Sequence, residues 1–149
     1  MNFNKYTLYI LFQFISLFGT PFFYIPMVIY LLKINYNIAV KLIAILIVTE
    51  IVCGFIKLIY QKDRPTPMKN KTIFQKYYAN SFPSIHTARI SALLIGFGSF
   101  YTNKLLILIL TLITINVAYS RIYLRKHYLI DVFAGFAIGA IISIILLMI

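Results

Sequence analysis

The sequence predicts an all-α helix bundle embedded in a membrane, and three observations carry that expectation. Of its 149 residues, 62% are hydrophobic and only 11% charged, with a mean hydropathy of +0.91, too few polar side chains to cover a water-soluble surface. Apolar runs close to the roughly 20 residues that cross a bilayer recur along the chain. Between them lie short turns and one long polar connection. No Ser/Gly-rich linker, fixed-period repeat or low-complexity tract divides the chain, so residues 1–149 are expected to form a single domain.

Taken in order, residues 4–18 predict a short first helix, interfacial or re-entrant, because Gly19, Pro21 and Pro26 interrupt the apolar run over 6–34. A span over 22–34 follows. The run has no Ala-x-Ala-like cleavage site, so it is expected to be retained rather than removed as a signal peptide. Residues 39–60, 104–120 and 129–149 predict full spans. Residues 84–100 predict a shorter one with His86 and Arg89 in its first turns, where long side chains still reach the interface. About six helices result, five or six of them spanning, which makes this a multi-pass integral protein of the cell membrane. Residues 35–38 and 101–103 are brief turns. The connection over 61–82, with Pro65, Pro67 and several lysines, is long for so small a bundle and is expected to carry function. Strict alternation of the helices puts it on the same membrane face as the turn over 121–127. Cys53, the lone cysteine, lies in an apolar run as a core filler.

The formal charge of +11 sets fourteen Lys and Arg against three acids, Glu50, Asp63 and Asp131. Such an excess attracts anionic partners. Nucleic acid is disfavoured, since the basic residues flank apolar stretches and form neither a basic helix nor a polar domain. A phosphorylated lipid in the bilayer fits better.

Three clusters stand out in the second half of the chain. The first is Lys57, six residues, then Arg64-Pro65; the second is Pro83-Ser84-Ile85-His86; the third is Ser120-Arg121, five residues, His127, three residues, Asp131. In this order and spacing they resemble the three signature blocks of the phosphatidic acid phosphatase type 2 superfamily, which also includes vanadium haloperoxidases and bacterial acid phosphatases. Each block alone is weak, but ten specified positions in order, each at the end of an expected span, are specific. The resemblance implies a phosphatase acting on a lipid through a phosphohistidine. The substrates it suggests are polyprenyl diphosphates such as undecaprenyl diphosphate, phosphatidic acid or phosphatidylglycerophosphate. One departure is Ile85, where the family usually has Gly or a small polar residue. It adds bulk and stiffness beside the phosphate, and a changed pocket shape is the expected result.

The same roles follow from the chemistry. Phosphoryl transfer needs positive charge on the equatorial oxygens, an in-line nucleophile and an acid for the departing oxygen. Lys57, Arg64 and Arg121 supply the charge, the arginines with planar forks that match phosphate, and Ser84 adds a hydroxyl or a backbone N–H at a helix start. His127 and Asp131, four apart, share one helix face, so the carboxylate is expected to hold one ring nitrogen and leave the other to attack. His86 is the general acid, and afterwards the base that activates water. Two histidines and three scattered acids form no cluster at metal-ligand spacing, so neither a metal nor another cofactor is expected.

Other residues carry weaker signals. Arg89, three residues past His86, either contacts a second phosphate of a diphosphate lipid or bridges to a carboxylate or backbone carbonyl. Glu50, in mid-span, is expected to face the bundle interior, protonated or paired with a neighbouring helix. Gly135 and Gly139 predict close helix packing within the monomer. Tyr77, Tyr78 and Phe82 are placed to line the way in for a lipid chain, and Lys62, Lys69, Lys71 and Lys76 form a solvated loop that attracts anionic lipid. With Arg125 and Lys126 these lysines outweigh Lys33, Lys41 and Lys104 on the opposite face, so the positive-inside rule favours a cytoplasmic site, whereas relatives acting on polyprenyl diphosphates usually have it on the outer face, and both sides stay open. Two other functions fit the same residues: a lipid phosphotransferase working through the same phosphohistidine, and a non-catalytic protein that binds or translocates lipid.

Overall fold

Helix boundaries follow local signals in the chain. In the computed structural model, which describes residues 3–68 and 72–149, seven α-helices form: α1 (Phe3–Ser16), α2 (Pro21–Ile34), α3 (Tyr36–Ile59), α4 (Ile73–Ala79), α5 (Ile85–Phe100), α6 (Lys104–Tyr123) and α7 (Leu129–Met148). A 3-10 turn, Leu17–Gly19, closes α1. Asn35 starts α3 by accepting the Ile38 N–H at 3.2 Å, and Asn103 starts α6 by accepting those of Leu105 and Leu106 at 2.9 and 3.2 Å, each cap being worth about 1 kcal/mol. Pro21 opens α2, where its missing N–H has no helical partner to lose. Pro26 lies inside α2 without ending it.

Among the described residues seven helices stand where the sequence predicts about six. The seventh, α4, lies inside the long polar connection. It is opened by a capping box in which the Thr72 hydroxyl accepts the Gln75 N–H at 3.1 Å and the Gln75 side chain accepts the Thr72 N–H at 3.3 Å. The Thr-x-x-Gln pattern was present in the sequence, but the surrounding lysines and prolines masked it. Lys69 and Lys71 lie outside the described residues.

Three helices, α3, α6 and α7, are long and apolar enough to cross a membrane. The pair α1 and α2 passes that test jointly, bent by 41° where Gly19 and Pro21 break the run, so the N-terminal region adds one broken crossing or a re-entrant loop. At 16 residues α5 is shorter, and its position explains why. It occupies the middle of the bundle, with every residue from Thr87 to Leu93 buried, so its length is set by protein neighbours rather than by lipid thickness. Outside it the usual arrangement is inverted: Ile47, Ile51 and Phe55 of α3 and Ile141, Ile144 and Ile145 of α7 are exposed, as expected where the solvent is hydrocarbon.

Between helices in lipid the hydrophobic effect is weak, and close packing of small residues holds them together. The tightest contact joins α5 to α7. A Cβ added at Gly135 would lie 2.3 Å from the Ser84 carbonyl oxygen, and one at Gly139 would lie 2.1 Å from that of Ala88. The two glycines thus lay α7 directly on the α5 backbone, within one chain. Ser91 and Ser143 link the helices further, their hydroxyls donating to the Phe136 and Ala92 carbonyls at 3.1 Å each. Leu42, Leu46, Ile90, Leu93 and Val117 form the apolar core on the other side of α5. Phe12 packs edge-on against Tyr119 and at a tilt against Tyr123, with ring centroids at 5.3 and 4.5 Å, fixing α1 along α6.

Candidate active site

Alternation of α3, α5, α6 and α7 brings four helix ends to one end of the bundle, and the sequence-predicted residues sit on them. Lys57 is on the last turn of α3, Ser84 and His86 begin α5, Arg121 ends α6, and His127 and Asp131 lie around the start of α7. Arg64 comes from the connection after α3. Lys57 is almost wholly buried and its ammonium donates to the Asn80 carbonyl at 2.5 Å, while the Asn80 side chain donates back to the Lys57 carbonyl at 2.7 Å. This reciprocal clasp folds the long connection over the site. Ser81 tightens it, its N–H donating to the Lys62 carbonyl at 2.7 Å. Arg64 is held by Nε donating to the Ala79 carbonyl at 3.2 Å.

The segment carrying the third cluster is shaped by its own backbone. After α6 the chain makes a Schellman turn: Arg125 takes the left-handed conformation (φ 52°), its N–H bonds the Ile122 carbonyl at 2.9 Å, and the Lys126 N–H bonds the Arg121 carbonyl at 3.0 Å. The His127 N–H joins the same Arg121 oxygen at 3.2 Å. The guanidinium and the imidazole therefore hang from one rigid loop. Across the site, the Ser84 N–H donates to the Asp131 carbonyl at 2.8 Å, registering α5 against α7.

Asp131 does not close the expected hydrogen bond. Its Oδ2 is 3.8 Å from His127 Nδ1 and instead accepts the Tyr128 N–H at 2.8 Å, capping α7. Its Oδ1 is bound by Lys62 at 2.7 Å. Lys62, read from sequence as one of several solvated lysines, is thus a buried-carboxylate partner, and its ammonium also lies 4.6 Å from the Tyr128 ring centroid. The available signal was its place inside the first cluster, two residues before Arg64. His86 Nδ1, His127 Nδ1 and Arg121 Nε are buried and have no hydrogen-bond partner among the described residues.

Electrostatics fix the state of His127. Burial, followed by the charges of Arg121, Arg64 and Lys57, holds its imidazole well below the usual histidine range, so the ring is neutral at pH 7. Burial also lowers the Arg64 guanidinium, an effect partly offset by Asp131. A neutral imidazole beside the Arg64 and Arg121 guanidiniums and the Lys57 amine is chemically suited to a dianion: the basic groups balance its charge while the ring keeps a lone pair.

His86, His127, Lys57 and Arg64 line a cavity of about 650 Å³. Ile85 also lines it, next to His86. The other walls are largely apolar: Phe22 from α2, Leu58 from α3, and Phe74 and Tyr78 from α4. Phe22, Phe74 and Tyr78 are themselves exposed on the outside of the bundle, so the cavity's rim lies where lipid would be. Tyr77 lines it as well. Phe82 does not, packing instead edge-on against Tyr60 at 5.1 Å. Arg89 is bound by Glu50, with Nε at 2.8 Å and Nη2 at 2.6 Å from Oε2, and its Nη1 donates to the Gly19 carbonyl at 3.2 Å. Of the two readings of Arg89, the bridge to a carboxylate is the geometry observed.

The sequence model of the PAP2 superfamily matches residues 38–149, which include all three clusters. The chain belongs to the PAP2 superfamily. Among solved structures, this PAP2 chain is similar to LpxE of Aquifex aeolicus, at 26% identity over 96% of this chain and 87% of that one, with a TM-score of 0.82. It shares its fold with a crystal structure described as the first transmembrane PAP2-type phosphatidylglycerolphosphate phosphatase, from Bacillus subtilis. That likeness has 19% identity over 93% of this chain and 74% of that one, with a TM-score of 0.73. No curated relative matches the sequence.

The region preceding the PAP2 match still contributes to the site. Gly19 packs so closely on His86 that an added Cβ would lie 2.8 Å from the histidine Cβ, and Thr20, Pro21 and Phe22 line the cavity. Sequence reading assigned these residues only a helix break. On the same face, Lys5 of α1 lies with Arg125 and Lys126 around a shallow groove, adding to the positive charge counted there.

Proposed function

We propose that this protein is a membrane-embedded lipid phosphatase that works through a phosphohistidine. The observation that carries the reading is the cavity: the neutral, buried His127 imidazole lines it together with His86, Lys57 and Arg64, and the walls turn apolar towards a rim of exposed aromatic side chains. A soluble phosphate ester has no use for such walls, whereas a lipid phosphate presents both chemistries in one molecule. The PAP2 membership and the helices long and apolar enough to cross a bilayer support it.

In this reading the lipid phosphate enters from the bilayer past Phe22 and Phe74, and its phosphate settles between Arg64, Arg121, Lys57 and the start of α5 at Ser84. With His127 Nδ1 turned towards Asp131, Nε2 is the nitrogen left to attack phosphorus. The N–P bond forms as the bond from phosphorus to the lipid oxygen breaks, and His86, which takes up a proton once the phosphate dianion sits beside it, gives that proton to the lipid oxygen. Water then attacks the phosphohistidine, His86 takes a proton from it, and cleavage of the P–N bond frees phosphate and restores neutral His127. Lys62 fixes the Asp131 carboxylate, so the acid orients the imidazole electrostatically without competing for its proton. Among the described residues no three His, Cys, Asp or Glu side chains gather as a ligand set, and the reaction is proposed to need no metal.

The test is phosphate release by the purified protein from phosphatidic acid, phosphatidylglycerophosphate and undecaprenyl diphosphate, with chelator present. Wild type is expected to release phosphate from at least one of them and to be blocked by vanadate, and His127→Ala is expected to lose at least about 10³-fold. Undiminished release by His127→Ala would remove the nucleophile assignment, and loss of activity with chelator would bring a metal back.

A further inference from the structure

The cavity has a second polar feature that phosphoryl transfer does not use. Glu50 lies in the middle of α3, seven residues before Lys57, hence about 10 Å deeper along the helix axis. It lines the same cavity as His86, Arg64 and His127. A carboxylate at such depth costs about 2.5–3.5 kcal/mol on insertion scales unless paired, and Glu50 is paired twice: Arg89 binds Oε2, and the Tyr77 hydroxyl of α4 donates to Oε1.

The pair is lopsided. All three nitrogens of Arg89 are engaged, two by Glu50 and one by the Gly19 carbonyl, and its side chain is only 8% exposed. The Glu50 side chain keeps 37% of its surface open. A bridge that only tied α3 to α5 would bury both partners. Here the guanidinium is packed away, and the carboxylate is the member that meets the contents of the cavity, in a stretch whose other walls include Phe22, Leu58 and Phe74.

On the lipid phosphatase reading above, we infer that Glu50 is a specificity-determining residue, whose carboxylate accepts a hydrogen bond from a hydroxyl or amide N–H that the lipid carries about 10 Å from its phosphate. The class of substrate this selects is a phosphorylated lipid that carries a donor part-way along its acyl chains, in preference to one whose chains are plain hydrocarbon beyond the ester. Each remaining lone pair of a carboxylate is an acceptor, and in a water-poor cavity a charge-assisted hydrogen bond is about twice as strong as a neutral one. Arg89 offers no net positive charge to a second phosphate at this depth, because Glu50 neutralises it.

The experiment compares kcat/KM for phosphatidic acid with 3-hydroxyacyl chains, whose hydroxyls lie eight bonds from phosphorus and so reach about 10 Å from it, with that for phosphatidic acid carrying the same chains without the hydroxyls. Both are presented in the same mixed micelles to wild type, Glu50→Gln and Tyr77→Phe. The ratio of the two constants does not depend on how much of a variant folds. Wild type is expected to favour the 3-hydroxyacyl lipid, and Glu50→Gln, which keeps shape but loses charge, to lower the ratio by about tenfold. Tyr77→Phe, which takes a competing donor off the carboxylate, is expected to leave the ratio unchanged or raise it, so the inference stays open to test even if Glu50→Gln does not accumulate. An equal ratio in wild type and Glu50→Gln, a fall in Tyr77→Phe, or a wild type without preference would overturn the inference and leave Glu50 as a bridge. Absence of phosphate release from every lipid by wild type would instead overturn the phosphatase reading.

Discussion

Substituting Gly135 with Ala tests whether the α5–α7 contact sets the geometry of the site. The new Cβ would lie 2.3 Å from the Ser84 carbonyl oxygen, whereas ordinary contacts begin near 3.4 Å. The two backbones must therefore part by about 1.1 Å, and neither can rotate away as a side chain could. Ser84 is the start of α5 and its N–H holds the Asp131 carbonyl at 2.8 Å, one turn from Gly135. Parting the helices here stretches that bond and shifts Asp131 and His127 against Ser84 and His86. Overpacking of this kind destabilises by about 1–3 kcal/mol, and a misplacement near 1 Å in a catalytic constellation can lower the rate by about 10²-fold. The assay is kcat/KM on a lipid phosphate together with a melting curve in detergent. Gly98→Ala is the control: nothing lies within 4 Å of a Cβ there, and Ala is worth about 0.5–1 kcal/mol over Gly inside a helix. A Gly135→Ala protein with wild-type melting and kcat/KM within about twofold of wild type would refute the claim that this contact registers the site.

Three further outcomes follow from the same geometry. Lys62→Met leaves the buried Asp131 carboxylate with the Tyr128 N–H alone; a loss of about 1–3 kcal/mol is expected, discounted because Lys62 is partly exposed, with Lys62→Arg recovering most of it in thermal unfolding. Arg125→Gly removes a left-handed non-glycine residue and is expected to stabilise by about 1 kcal/mol without changing activity, measured by melting and phosphate release. The depressed His127 pKa means that the unfolded chain binds a proton near pH 6.5 that the folded chain does not. The resulting stability is full above that pH and falls below it by at most about 1.4 kcal/mol per pH unit, so melting between pH 7.5 and 5 should shift less in His127→Gln than in wild type.

What the sequence made legible was whatever depends on neighbours along the chain. The apolar runs located α3, α6 and α7, and the three clusters named the residues that the fold gathers at one end. What it concealed depends on distant pairing. Lys62 differs from its neighbouring lysines only because the Lys57–Asn80 clasp turns the connection back over α7, and no local pattern states which lysine that turn delivers to Asp131. The four-residue spacing of His127 and Asp131 correctly put them on one face, but the carboxylate at the third helical position met the Tyr128 N–H first. Glu50 and Arg89 were each singled out, yet their partnership spans 39 positions. The short α4 was overlooked because one capping box among lysines is a faint signal beside the apolar runs.

The loop that follows α6 turns a motif into a counting rule. Because the carbonyl of Arg121 receives the amides of both Lys126 and His127, the number of residues between the arginine and the histidine sets the size of a hydrogen-bonded ring. One residue more or fewer would break that ring and swing the imidazole away from its cations, while side chains on the outside of the loop are free to vary. A signature written as a fixed gap in sequence is, in three dimensions, the size of a knot that must close.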